Sequence, residues 1–180
     1  MSQDVSTQVT VRTRDADQTR ALGGRVAALL RAGDLVMLSG GLGAGKTTLA
    51  QGIGAAMRVR GRVSSPTFII ARVHPALGEG PDLIHVDAYR LGSLEEVDAL
   101  DLDSSLDDSV TLVEWGQDKV EALSSDRLEI LVARPHGGLS RADRTDPVTD
   151  LEQVDDGLRT VTVSAVGQRW ADVDLSVLLA

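Results

Sequence analysis

Residues Gly40 to Thr48 read GGLGAGKTT, and Gly40, Gly45, Lys46 and Thr47 fit the pattern G-x-x-x-x-G-K-[ST]. The residue types follow from the chemistry of holding phosphate. Glycine lets the backbone take conformations that a Cβ forbids, so successive N–H groups turn inward around phosphate oxygens. Lys46 then offers a point charge to the β and γ phosphates, and the Thr47 hydroxyl is placed to bind Mg²⁺. Such a loop has to leave a buried strand and enter a helix, whose N-terminus completes the anion site. Upstream lies the apolar run Leu35-Val36-Met37-Leu38, behind a turn at Ala32-Gly33-Asp34. Downstream, Leu49, Ile53 and Met57 recur at helical spacing, although Gly52 and Gly54 weaken that helix locally. The stretch therefore predicts a nucleotide-binding P-loop.

The 180 residues suffice for one domain with a full core, and 42% hydrophobic with 25% charged residues is ordinary globular composition. Aromatics make up only 2%, so the core has to be built from Val, Leu, Ile and Ala. The absence of cysteine excludes disulfides, Cys-ligated zinc and thiol catalysis. The N-terminal MSQDVSTQVTVRTRD lacks an apolar signal core and no run approaches membrane-spanning length, so a soluble, cytoplasmic protein is expected. A net charge of −9 argues against a broad nucleic-acid surface, which needs clustered Lys and Arg.

Gln8 to Arg12 alternates polar and apolar residues as an edge strand does. Asp15 or Asp17 caps a helix whose stripe is Leu22, Val26, Leu29 and Leu30. Beyond the P-loop helix, Val63 to Ala71 reads as a loop feeding a strand, held extended by Ser65-Pro66 and presenting Thr67 at the strand edge. That segment is either a plain turn or a switch-type loop sensing γ-phosphate. His74 to Asp82 is read as a surface turn, and Ser93-Leu94-Glu95-Glu96 as a capping box opening a helix through Leu100. A short helix is expected over Gln117 to Leu123, with strands at Arg127 to Ala133 and Leu158 to Val163. Pro135 to Gly157 is a flexible insertion, and Trp170 to Leu179 a closing helix with Val173, Val177 and Leu178 inward.

P-loop chemistry needs a carboxylate at the end of a neighbouring strand, to complete the Mg²⁺ shell or orient the attacking water. Asp87 after Leu83-Ile84-His85-Val86 and Glu114 after Thr111-Leu112-Val113 are the two candidates. His85, inside an apolar strand, reads as a satisfied core histidine; His74 and His136 read as loop residues.

In this order, P-loop, Ser65-Pro66-Thr67-Phe68, His85-Val86-Asp87-Ala88-Tyr89-Arg90-Leu91 and Val113-Glu114-Trp115, the chain resembles the TsaE (YjeE) family of bacterial P-loop ATPases. The similarity runs from about Thr19 to Val132 and is diffuse beyond. It implies a P-loop NTPase-like three-layer α/β sandwich, with a mainly parallel central sheet and antiparallel C-terminal strands. It implies an ATPase, with ATP and Mg²⁺ as cofactors, that assists TsaD- and TsaB-type partner proteins in making threonylcarbamoyladenosine in tRNA, touching tRNA only indirectly. By the same resemblance, Leu42, Gly43, Ala44, Gly45, Lys46, Thr47 and Thr48 wrap the nucleotide, with Trp115 beside it. Thr67 lies in the switch-like loop, Asp87 is needed for activity, and Thr47 and Glu114 stand at the metal. Gly41 replaces the family's usual acid, and Gly116-Gln117 its usual Pro-Glu or Pro-Gln.

The alternative is a small-molecule P-loop kinase with Arg134, Arg141 and Arg144 as a lid. A GTPase is disfavoured, since Gln117-Asp118-Lys119 is a poor match to the guanine-reading Asn-Lys-x-Asp.

Overall fold

The computed structural model describes residues 7–41, 44–61, 63, 71–87, 107–114, 124–134 and 158–179. In chain order the elements are β1 (Thr7–Thr13), α1 (Ala16–Ala27), β2 (Leu35–Ser39), α2 (Lys46–Met57), β3 (Ala71–His74) and β4 (Asp82–Asp87). They continue with β5 (Ser109–Glu114), β6 (Arg127–Ala133), β7 (Arg159–Val166) and two short 3-10 turns, Gln168–Trp170 and Leu175–Leu179. The strands make one sheet in the order β1-β7-β6-β2-β5-β4-β3.

The apolar run of β2 holds the middle because it is buried on both faces. Val36 and Leu38 enter the cluster built with Leu22 and Val26 of α1 and Leu49 and Ile53 of α2. Leu35 and Met37, pointing the other way, are buried as well, as expected of a parallel strand covered on both sides. β5 and β6 flank β2 in parallel, and β4 runs parallel to β5. β7 and β3 are antiparallel to their neighbours, so the parallel part ends in an antiparallel margin on each side. This is the P-loop NTPase-like α/β architecture expected from the sequence.

β1 is the expected edge strand, paired to β7 with Val11 and Thr13 inward. Asp15 caps α1, its Oδ1 accepting from Gln18 N at 2.8 Å. No helix among the described residues is long and apolar enough to cross a membrane.

Three expectations need correction. β7 extends to Val166 rather than ending at Val163. His74 is not in a loop: it closes β3, is buried, and its Nδ1 faces the Arg60 carbonyl at 3.1 Å. The closing segment is no continuous helix. Asp174 Oδ1 accepts from Ser176 N at 2.9 Å, and this local side-chain bond competes with helical pairing. The chain therefore makes two short turns; Leu175 and Leu178 are buried while Val177 is exposed. The segment is anchored by Arg169, whose Nε and Nη2 both donate to Asp34 at 3.0 Å, with Nη2 also donating to the Leu29 carbonyl at 2.9 Å.

The helices expected at Ser93–Leu100 and Gln117–Leu123, the insertion at 135–157, and residues Arg141, Arg144 and His136 lie outside the described residues.

Candidate functional site

β2 delivers the chain to the C-terminal end of the parallel strands, and Gly40 is the first residue past it. Its φ is 141°, and a Cβ there would stand 2.2 Å from the Val132 carbonyl oxygen of β6. Only glycine lets the loop leave the strand so close to its neighbour. Ala44 N donates to the Gly41 carbonyl at 3.1 Å, and Gly45, left-handed at φ 109°, opens α2. No side chain caps α2, and its first turn holds no acid. The first amides of the helix and the positive end of its dipole therefore face the loop.

Lys46, the first residue of α2, is only 6% exposed. Its ammonium donates to the carbonyls of Gly40 at 2.8 Å and Gly41 at 3.0 Å, which hold it at the mouth of the loop. Burial pushes its pKa below the ordinary lysine value, while the charges of Glu114 and then Asp87 oppose that shift. Those carboxylates end β5 and β4 as direct partners in the parallel ladder, and Glu114 is also level with Leu38 of β2. A cation and two carboxylates thus converge at the loop although they are far apart in sequence. Thr47 and Thr48 are half-buried at the same end of α2.

Glu114 is buried and accepts a hydrogen bond from His85 Nε2 at 2.6 Å. His85 is the hydrogen-bonded core histidine expected from the sequence, although its partner was missed. A signal was present. His85 and Asp87 are two apart on β4, hence on one face, and the parallel register sets Asp87 beside Glu114. Arg159 was missed too: it opens β7, and its Nε lies 3.6 Å from where a Cβ on Gly45 would stand. The antiparallel return of β7, with Thr160 opposite Ala133, brings that arginine to the loop end of the sheet.

Ala44, Gly45, Lys46, Thr47, Thr48, Asp87 and Glu114 are therefore placed at one site. Leu42, Gly43, Thr67 and Trp115 lie outside the described residues. The described residues contain no cluster of three or more His, Cys, Asp or Glu able to hold a metal. The oxygen donors present, Glu114 with a half-buried Thr47 hydroxyl, suit a hard cation that keeps waters and takes its remaining ligands from phosphate.

A family model described as "Threonylcarbamoyl adenosine biosynthesis protein TsaE" matches residues 13–142. The chain is 58% identical over 160 residues to the tRNA threonylcarbamoyladenosine biosynthesis protein TsaE of Streptomyces coelicolor, covering 88% of this chain and 98% of that one. It is 33% identical over 164 residues to the Bacillus subtilis protein of the same description, covering 91% and 89%. Its fold superposes on the crystal structure of Bacillus subtilis YdiB with a TM-score of 0.65 at 28% identity, covering 92% of this chain and 90% of that one.

Proposed function

The chain belongs to the TsaE family of threonylcarbamoyladenosine biosynthesis, and from that premise we propose that it binds ATP with Mg²⁺ at Gly40–Thr48 and hydrolyses it slowly. We place it as an accessory subunit to TsaD- and TsaB-type proteins that modify tRNA. The observation that carries this reading is the buried Lys46 ammonium, held by Gly40 and Gly41 beside the strand-end carboxylates of Asp87 and Glu114.

The loop amides and Lys46 bind and orient the β and γ phosphates. Asp87 orients the attacking water, which adds to the γ phosphorus as the bond to the ADP oxygen breaks. Thr47 and Glu114 would hold Mg²⁺, which would supply positive charge against the phosphate oxygens. Turnover by the chain alone is expected to be slow, because such constellations are commonly completed by a partner's arginine or by the ordering of a switch loop. The switch-like loop through Thr67 is the element we assign to sensing ATP and shaping the partner surface.

Isothermal titration with ATP and Mg²⁺ tests the site. Lys46→Ala should lose most of the affinity. Glu114→Gln and Asp87→Ala should bind but hydrolyse at least about 10²-fold more slowly, the scale of losing one preorganised electrostatic contact. Wild-type affinity and turnover in Lys46→Ala would refute the assignment.

A further inference from the structure

β4 is apolar along its length except at His85 and at its two ends, and His85 is completely buried. A histidine there is costly for the strand. Nε2 is spent on Glu114, and Nδ1 is buried with no hydrogen-bond partner among the described residues. A leucine or isoleucine, like the residues on either side, would avoid that orphaned nitrogen. Glu114 supplies the reason. It is a buried carboxylate that, among the described residues, accepts one hydrogen bond, from His85 to Oε2, and none at Oε1. The nearby ammonium is held by the carbonyls of Gly40 and Gly41, and its charge and that of Glu114 act on each other.

We propose that His85 is the positioning residue of the site: by donating from Nε2 it pins one oxygen of Glu114 and leaves the other aimed at the cation that accompanies the nucleotide. This rests on the reading of Glu114 as a metal-linked residue. The nitrogen facing a carboxylate carries the hydrogen, so the bond fixes both the imidazole tautomer and the carboxylate rotamer. Carboxylates that serve a metal are oriented by such outer partners, and losing one typically lowers metal affinity about 10–100-fold. The sheet provides the rigid frame, since His85 and Glu114 lie on adjacent, hydrogen-bonded strands rather than on loops.

Two amide substitutions separate positioning from packing. The amide nitrogen of glutamine falls near the position of Nε2, and that of asparagine near Nδ1. His85→Gln therefore keeps a donor for Glu114 and His85→Asn removes it, at similar polarity. The readout is the affinity for a non-hydrolysable ATP analogue with and without Mg²⁺, alongside thermal stability. His85→Gln should retain the Mg²⁺-dependent tightening within about threefold, whereas His85→Asn should lose about 10–100-fold of it with the Mg²⁺-free affinity unchanged. Equal Mg²⁺ dependence in both variants and wild type overturns the proposal. So does an equal loss in both that merely follows a common fall in stability. Lys46→Ala in the same titration keeps the two readings apart. If it binds the analogue as wild type does, the nucleotide site itself is misplaced. If it does not bind, and the two His85 variants fail to split, only the positioning role falls.

Discussion

Gly52 of α2 lies against the Arg20 carbonyl of α1 so closely that a Cβ added to it would come within 2.2 Å of that oxygen. The contact is reciprocal, since a Cβ on Gly23 of α1 would meet the Leu49 carbonyl of α2 at 2.5 Å. The two helices thus touch backbone to backbone, which sets how α2, and the loop before it, sits on the sheet.

Gly52→Ala should consequently destabilise the protein although alanine is the better helix former. Overpacking costs about 1–3 kcal/mol and exceeds the propensity gain of about 1 kcal/mol, because backbone cannot swing away as a side chain can. Gly24→Ala is the control. Its Cβ would meet only the Ala56 Cβ, at an ordinary 3.7 Å, so that variant should gain about 0.5–1 kcal/mol. Urea denaturation of the pair checks both signs.

The lowered pKa of Lys46 has a consequence for stability. The folded protein releases this proton at a lower pH than the unfolded chain, which does so near the ordinary 10.5. Below the folded value both states carry the charge, and the folded state bears the full cost of burying it. As pH rises through the window up to 10.5 the folded state sheds the charge first and that cost is relieved. Wild type should therefore gain stability relative to Lys46→Met as pH rises toward 10.5, measured as the difference in urea midpoints. A flat difference would mean the ammonium is not desolvated.

Arg169 should matter more than its place near the C-terminus suggests. Asp34 is buried, and Arg169 is its two-pronged partner. Arg169→Ala leaves that carboxylate uncompensated and should cost about 3–5 kcal/mol. Arg169→Lys should recover only part, since a point charge cannot make both contacts. Equilibrium unfolding distinguishes the three proteins.

The tryptophans should divide in their response to nucleotide. Trp170 is buried just beyond β7, whose last residue Val166 pairs with Arg127 at the start of β6. That is the end of the sheet away from the loop, and the Arg169 guanidinium covers the ring at 4.1 Å. Emission should therefore respond to ATP in Trp170→Phe and fall silent in Trp115→Phe. The reverse pattern would move the nucleotide toward the C-terminal turns.

Legibility followed the range of the interactions. The P-loop, the Asp15 cap and β6 were readable because each is set by residues within a few positions of one another. Asp87 and Glu114 were readable as strand-end acids, but their adjacency comes from the order of strands, which periodicity does not encode. His85 was legible as a core histidine, but its partner, 29 residues away on another strand, was not, for that reason. Arg169 and Asp34, 135 residues apart, left no local trace at all. Gly52 looked like a weakness in its helix because propensity describes a helix alone, whereas the residue answers to a neighbouring helix. The closing helix was expected from apolar spacing that Asp174 interrupts by bonding its own backbone.

The central position of β2 also bears on how the protein is made. Leu35 and Val36 pair with Thr111 and Leu128, so the strand that carries the loop leaves the ribosome well before either neighbour exists. Synthesis from β2 through β6 takes on the order of ten seconds, and until β5 and β6 emerge this apolar strand waits unpaired. The wall that presses on Gly40 is Val132, and Arg159 comes later still. A nascent chain therefore has no formed site to offer ATP until nearly all of it has been synthesised, and a chain truncated before β6 would expose β2 to aggregation rather than yield a smaller working protein.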